Sequence, residues 1–428
     1  MAAKKIKAKI KAQFIKQPRY YNEFSCTGGD CPMNCCFGWS VVEWKNAEVQ
    51  KLRNADCSEK IRSLIDTSFV PHYKDKQPVK KFKIQLNDNY KDVKLIEDIS
   101  FNENVESYKI KMNEKRSCSF LTEDNFCSIQ LELGAEYLSR TCRVYPRRSV
   151  LVGNTIYMYC NLSCYHVVDL LCNEKDSMIL ENFENIGQKI ENINIDNVND
   201  VINHPELKYR RQLLDLFYDI ISDDSHSLEA SIVLGALAAH GLTKIINNGE
   251  YDKIPDFIKN IKKQLDDPKQ TEKLESFKPK TEVRIGFARD FYKNIVRIDL
   301  SDIIKVDVNI SVEKFLDGER KFNEAYSDRP FALRNIALNL MLDLKMPFRD
   351  VNVSLFENYC YFAAAVSVIK FAADVAYTSD KDRDKAFKTL SAYVSRSFAH
   401  DDLKVKRIIE LLNSYHCTSP AYLLLILK

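Results

Sequence analysis

Apolar positions recur at two different periods along the chain. In the first part the period is short. Phe82, Ile84 and Leu86 alternate with Lys83 and Gln85, which predicts a strand with one face buried. Val105, Tyr108 and Ile110 repeat this less regularly. Two β-rich runs between Ser149 and Tyr159 flank Gly153-Asn154 and predict a hairpin whose second strand leads to Cys160 and Cys164. From about residue 173 the period becomes helical. Leu213, Leu214, Phe217, Ile220 and Ile221 fall on one face of a helix. Ala386, Phe387, Leu390, Tyr393, Val394 and Phe398 do the same after a capping-box-like Ser379-x-x-Asp382. The stretches 228–247, 331–345 and 355–376 are also long and periodic, and the Asn/Asp-rich stretch 192–204, followed by Pro205, reads as a linker. The expected fold is mainly α: a cysteine-rich α+β region with short strands over 1–172, then an α-helical domain over 173–428.

Charge narrows the function classes. The chain has 63 basic and 60 acidic residues, a balance of +3, which gives no strong field for nucleic acid. Basic residues nevertheless crowd the start, with Lys4, Lys5, Lys7, Lys9, Lys11 and Lys16 set among Ile6, Ile10 and Phe14. That segment reads either as a solvated terminus or as a weak hold on an anionic membrane or an acidic partner. It lacks the apolar stretch of a secretory signal, and no run of about 18 apolar residues predicts a spanning helix. The expected location is cytoplasmic, where thiols stay reduced.

In that setting the thirteen cysteines point to metal binding or catalysis rather than disulfides. Eleven lie between Cys26 and Cys172, and only Cys360 and Cys417 follow, a segregation that scattered structural cysteines would not show. Cys26, Cys31, Cys35 and Cys36 form a knot with Gly28, Gly29 and Pro32. Those residues let the backbone fold tightly so that several sulfurs converge. Single cysteines follow at Cys118, Cys127, Cys142, Cys160 and Cys164. Soft thiolates select zinc, copper(I) or iron–sulfur clusters. Zinc usually takes paired C-x(2–4)-C turns, whereas a [4Fe–4S] cluster tolerates irregular loops and needs only four thiolates. Both remain open, as does the number of sites. Cys57, Cys172, Cys360 and Cys417 read as small buried hydrophobes.

These residues carry a resemblance. Pro18-Arg19-Tyr20, Glu23-Phe24-Ser25-Cys26, Cys31-Pro32 and Cys35-Cys36-Phe37-Gly38-Trp39 resemble the opening of flagellin lysine-N-methylases. Cys118-Ser-Phe-Leu, Cys127-Ser-Ile-Gln-Leu-Glu-Leu-Gly134 and Cys142-Arg-Val-Tyr-Pro-Arg147 continue it. Arg334-Asn335 and Lys345-Met346-Pro347-Phe348 extend it more loosely into the helical half. The knot is shared with a broader CxxCxxCC-type family of zinc- or iron-chelating proteins. The resemblance implies methyl transfer from S-adenosylmethionine to lysine ε-amines of flagellin by a cytoplasmic iron–sulfur enzyme. It also implies a ligand pool of Cys26, Cys31, Cys35, Cys36, Cys118, Cys127, Cys142 and Cys164. The family's usual Ser-Cys-Pro-Glu reads Ser163-Cys164-Tyr165-His166 here, and Cys160 is additional.

The residues give no independent sign of the methyl donor. Only eleven glycines are present, without the G-x-G-x-x-G turn of doubly wound methyltransferases. Cys31-x3-Cys35 begins the C-x3-C-x2-C pattern of radical enzymes, but Gly38 stands at its third position. Arg140, Arg143, Arg147 and Arg148 crowd around Cys142. From these, Arg143 and Arg147 are the candidates for holding the donor's carboxylate or offsetting the charge of ligated thiolates. Lysine, with a free pKa of about 10.4, must lose a proton before it attacks. Tyr20, Tyr145 and His166 lie near the cysteines in sequence, but none is assigned as the base. A zinc-stapled protein-binding module and a metal chelator without catalysis are the other function classes that the cysteines allow.

Overall fold

The computed structural model describes residues 9–10, 14–37, 43–73, 79–86, 93–100, 106–114, 117–152, 155–183, 193–195, 203–265, 268–278, 280–296, 309–379, 381–399 and 404–428. Gly38, Trp39, Val105, the Gly153-Asn154 turn, most of the 192–204 stretch and the leading lysines Lys4, Lys5, Lys7 and Lys11 lie outside these. The chain divides into two compact units. One comprises residues 1–15, 25–149 and 183–193, and the other residues 16–24, 150–182 and 194–428.

The first unit is α+β. A three-stranded antiparallel sheet places Glu106–Ile110 between Glu43–Lys45 and Phe69–Tyr73, with Trp44 opposite Tyr108 and Phe69 opposite Ile110. The helices Asn46–Arg53 and Glu59–Ser68 pack with it, the second capped by Ser58, whose hydroxyl accepts from the Ile61 N–H. Their apolar faces close a core of Trp44, Val49, Leu52, Ile61, Ile65 and Phe69. Trp44 meets Phe69 edge-on at 5.2 Å, the geometry that the ring quadrupoles favour. The predicted strand at Phe82, Ile84 and Leu86 is Val79–Leu86. It pairs antiparallel with Val93–Ser100 in a second three-stranded sheet.

The second unit opens with a five-stranded sheet. Its strand order is Leu180–Phe183, Phe14–Pro18, Thr155–Cys160, Arg147–Val152 and Ile193–Ile195. The two strands of the predicted hairpin are neighbours in it. The rest is helical, as the period indicated: Arg210–Ser222, Leu228–Asn247, Ala332–Asp343, Leu355–Ala376 and Arg383–Ala399 all form. Leu355–Ala376 packs against four or more other helices and is apolar on every side, which suits a helix with no solvent face. It and Leu228–Asn247 are long and apolar enough to cross a membrane, but 94% of the relevant window of Leu355–Ala376 is buried among its neighbours. Ser354 starts it with a true capping box. The Ser354 hydroxyl accepts from the Glu357 N–H, and the Glu357 carboxylate accepts from the Ser354 N–H at 2.8 Å.

The capping box expected at Ser379-x-x-Asp382 does not form. The helix begins at Arg383, and the Ser379 hydroxyl bonds within its own turn, accepting from the Lys381 N–H at 3.4 Å. Asp382 sits at φ 50°, a left-handed conformation that short polar side chains tolerate and that precedes rather than continues the helix.

Candidate metal centre

Three short segments of the first unit deliver its clustered thiols. The Gly28–Asp30 turn has Gly28 at φ +59°, and a Cβ on Gly29 would lie 2.7 Å from the Asp124 carbonyl oxygen. Only glycine lets the knot approach the 122–126 turn this closely. Asn34 ties the two together. Its Nδ2 donates to the Asn125 carbonyl at 2.8 Å, and its Oδ1 accepts from the Cys36 N–H at 2.9 Å. The Cys118 N–H then donates to the Cys36 carbonyl at 2.9 Å, and Leu121 bridges to Cys127. Cys118 and Cys127 are half-buried and rest on the unit's apolar core. Cys142 sits on the helix Arg140–Val144, where its N–H donates to the hydroxyl of the capping Ser139 at 3.1 Å.

The thiols of Cys35, Cys36, Cys118, Cys127 and Cys142 are close enough to feel one another's charge. Cys36 is held protonated first by its side-chain hydrogen bond with Cys35, then by burial and by the charges of Cys35, Cys118 and Cys127. Burial, with the neighbouring thiols behind it, pushes Cys118 up to about 11 and raises Cys127. The same causes lift Cys142 to about 12, although the residue is exposed, so solvent offsets part of that rise. Cys31 is raised by burial and feels Cys35 and Cys26. Thiols that penalise one another's ionisation become a stable thiolate set only beside a cation, and a bound metal supplies one. Among the described residues, no three His, Cys, Asp or Glu side chains are already disposed as ligands of a single ion. The structure therefore gathers soft donors of the right chemistry without presenting finished coordination geometry.

The other candidates are placed as follows. Cys26 is exposed, and its sulfur accepts from the Gly28 N–H at 3.4 Å. Cys164 belongs to the second unit, where it is the residue preceding the helix Tyr165–Asn173. Arg143 is exposed one residue beyond Cys142, and Arg147 is half-buried at the start of its strand. Cys172, Cys360 and Cys417 are buried, as small hydrophobes would be, and Cys57 packs on the first unit's core. Tyr20 is fully buried. Its hydroxyl donates to Asn339 Oδ1 at 2.5 Å and accepts from the Cys160 N–H at 2.9 Å, so it fastens structure rather than moving protons. His166 lies against Phe24, with Asp169 4.0 Å from its Nδ1.

In the helical unit the structure shows what the Arg334-Asn335 pair does. Arg334 donates to the carbonyls of Ile221 and His226, closing the C-terminal end of Arg210–Ser222. Asn335 donates to the carbonyls of Leu171, Glu174 and Lys175, closing the end of Tyr165–Asn173. Both satisfy terminal carbonyls that the helices themselves cannot.

A helical unit of this architecture, with a separate thiol-gathering α+β unit, defines a cysteine-rich two-unit protein whose helical part is the larger. Residues 214–426, all within the helical unit, match the FliB lysine N-methylase C-terminal domain, and the chain belongs to that lysine N-methylase family. It is 25% identical over 39% of its length to 81% of the flagellar biosynthetic protein FliU of Salmonella muenchen. It is 24% identical over 51% of its length to 45% of a lysine-N-methylase of Salmonella typhimurium, and equally to one of Salmonella choleraesuis. The matched segment thus spans less than half of those two methylases. No solved structure matches the chain.

Proposed function

We propose that this chain is a protein-lysine N-methyltransferase that transfers a methyl group from S-adenosylmethionine to lysine ε-amines of flagellin in the cytoplasm. The observation that carries this reading is the family match over residues 214–426, and the flagellar and methylase names of its relatives support it. The thiols of Cys35, Cys36, Cys118, Cys127 and Cys142 would hold a [4Fe–4S] cluster, with Cys26 and Cys31 of the same unit as further candidate ligands. Their donor chemistry fits: sulfur only, several thiols from separate segments, and mutual repulsion that a cation relieves. A cluster iron without a protein ligand would bind the donor's amino and carboxylate groups.

In the reaction the lysine nitrogen lone pair forms the new N–C bond as the sulfonium C–S bond breaks, leaving the neutral thioether. The amine's proton passes to a base or to water. The chain's part is to bind both reactants, to exclude water and to present the amine unprotonated, since protonated lysine has no lone pair to donate. Arg143 and Arg147 would counter the negative charge of the ligated thiolates or the donor's carboxylate.

Two measurements test the reading. Protein purified without oxygen is expected to contain about four iron and four sulfide per chain. Radiolabelled methyl transfer to flagellin is expected to be lost in Cys35→Ser and Cys118→Ser. The packing of Cys118 and Cys127 on the apolar core also suits a zinc staple in a binding module or chelator. Stoichiometric zinc without sulfide, and no methyl transfer, would establish that alternative and overturn the enzyme.

A further inference from the structure

Gly28 is tied to two cysteines of the knot at once. Its N–H donates to the Cys26 sulfur at 3.4 Å, and its carbonyl accepts from the Cys31 N–H at 3.2 Å. Whatever fixes Gly28 therefore fixes both of these residues. Cys31 stands close enough to Cys35 to feel its charge, and Cys35 acts in the same way on Cys118, Cys127 and Cys142. The Gly28–Asp30 turn is thus one wing of the thiol cluster rather than a separate loop.

The side chain that meets this wing is Phe126. A Cβ on Gly28 would lie 3.1 Å from its ring, and a Cβ on Gly29 would lie 2.6 Å from it. The ring rests on bare glycine backbone, and any side chain at position 29 would push it away. Phe126 is itself presented by a stiff turn. The Thr122 N–H donates to the Phe126 carbonyl at 2.9 Å, and the Phe126 N–H donates to Thr122 Oγ1 at 3.0 Å. Asn125 turns the chain at φ 62°, a left-handed conformation that asparagine tolerates. The next residue is Cys127, which an antiparallel bridge ties back to Leu121.

Phe126 is 41% exposed and stands outside the apolar core of Trp44, Val49 and Leu52. What its ring covers is the Gly28–Gly29 backbone. Together with the bond from Asn34 to the Asn125 carbonyl, that contact closes the knot onto the turn that leads into Cys127. Two segments some 90 residues apart are joined at a side chain and a pair of glycines, next to thiols on both sides.

We propose that Phe126 is a positioning residue of the metal centre, its ring clasping the Gly28–Gly29 turn so that Cys26 and Cys31 are held beside the other thiols. Ligands held in place beforehand lose less freedom when a metal binds, so the clasp tightens retention without touching the metal. The inference deepens the metal-centre reading and rests on it for the presence of a resident metal.

The test uses the full chain, reduced and freed of metal, then titrated with Cd²⁺, a soft cation whose charge-transfer absorption reports bound thiolates. Retention is read as the rate of loss to excess EDTA. Removing a group that orients metal ligands predicts about tenfold weaker retention in Phe126→Ala. Phe126→Tyr keeps the flat ring and should restore it. Gly29→Ala should lose cadmium as Phe126→Ala does, and the double variant should lose it no faster than Gly29→Ala alone, because both changes break one contact. If alanine unsettles the fold, Phe126→Leu, which keeps an apolar but not a flat side chain, should still retain cadmium less well than Phe126→Tyr. Equal retention in Phe126→Ala and the unchanged chain, no rescue by tyrosine, or losses that multiply in the double variant overturns the assignment. The native metal content separates the two readings. Iron and sulfide with unaltered retention in Phe126→Ala removes the clasp and leaves the cluster. Zinc without sulfide, with the cadmium losses as expected, removes the cluster and leaves the clasp. An unchanged chain that takes up no cadmium removes both.

Discussion

Arg284 and Asp374 are each 1% exposed and joined by a hydrogen-bonded ion pair, with Glu319 Oε1 2.7 Å from the guanidinium on its other side. Burial raises the Asp374 carboxyl to about 7, even though Arg284 and Lys370 pull the other way. The native state therefore binds this proton more tightly than the unfolded chain, whose carboxyl titrates near 4. Stability from this site is full below about pH 4 and is lost as pH rises through about 7. Urea unfolding midpoints are expected to fall between pH 5 and pH 8, and Asp374→Asn should flatten that fall because the amide cannot ionise. Arg284→Met removes a charge that holds the Asp374 carboxyl down, so the buried group keeps its proton to higher pH and the fall of the midpoints should shift to higher pH. None of this was legible in the sequence, where Asp374 is one polar position in an otherwise apolar helix and its partner lies 90 residues away. The thiols were more legible, because Cys26 to Cys36 are neighbours in the chain. Cys118 and Cys127 join them through long-range contacts such as the Asn34–Asn125 and Cys36–Cys118 bonds and the Phe37–Ser117 bridge, which no spacing rule reveals.

Helices carry their own signal, since a period of 3.6 needs only local sequence. Arg210–Ser222, Leu228–Asn247 and Leu355–Ala376 form where the pattern put them. Strand partners do not carry one. Phe14–Pro18 pairs beside Thr155–Cys160, across some 140 residues, and nothing in either segment names the other. The Ser379 misreading has a similar cause: Ser-x-x-Asp matches the cap pattern in letters, while the turn closes on itself before the helix starts. Packing between elements gives a sharper test. A Cβ on Gly235, in Leu228–Asn247, would stand 2.0 Å from the hydroxyl oxygen of Tyr359 on the central helix, and Tyr359 is fully buried with no room to turn. Gly235→Ala should therefore destabilise by about 1–3 kcal/mol despite the better helix propensity of alanine. A thermal melt decides it, since an unchanged or raised midpoint would show that the two helices can separate at no cost.

At the scale of the molecule, the sequence change near residue 173 is a change of composition rather than a seam between compact bodies. The helical unit also takes in residues 16–24 and 150–182. Tyr20, Cys160 and Leu162 meet Asn339 and Asp343 there, through the Tyr20–Asn339 bond and the 3.1 Å bond from the Leu162 N–H to Asp343 Oδ2. A chain starting at residue 173 would lose the strands Phe14–Pro18 and Thr155–Cys160 and leave Asn339 and Asp343 facing missing partners. We expect it to melt without cooperativity or to aggregate, and calorimetry on that fragment beside the full chain would tell. A sharp transition near the full-length midpoint would instead make residues 173–428 an autonomous domain.

That threading also bears on how the protein is born. Tyr20 emerges from the ribosome 319 residues before Asn339, the side chain that accepts its hydroxyl proton. Synthesis at about 5–20 residues per second separates the two by tens of seconds. The strand Phe14–Pro18 and the Cys160 N–H bond to Tyr20 can form once Thr155–Cys160 is made, but the bond to Asn339 has to wait, while the thiol-bearing region is already synthesised. The α+β unit can thus gather its thiols before the helical unit is whole.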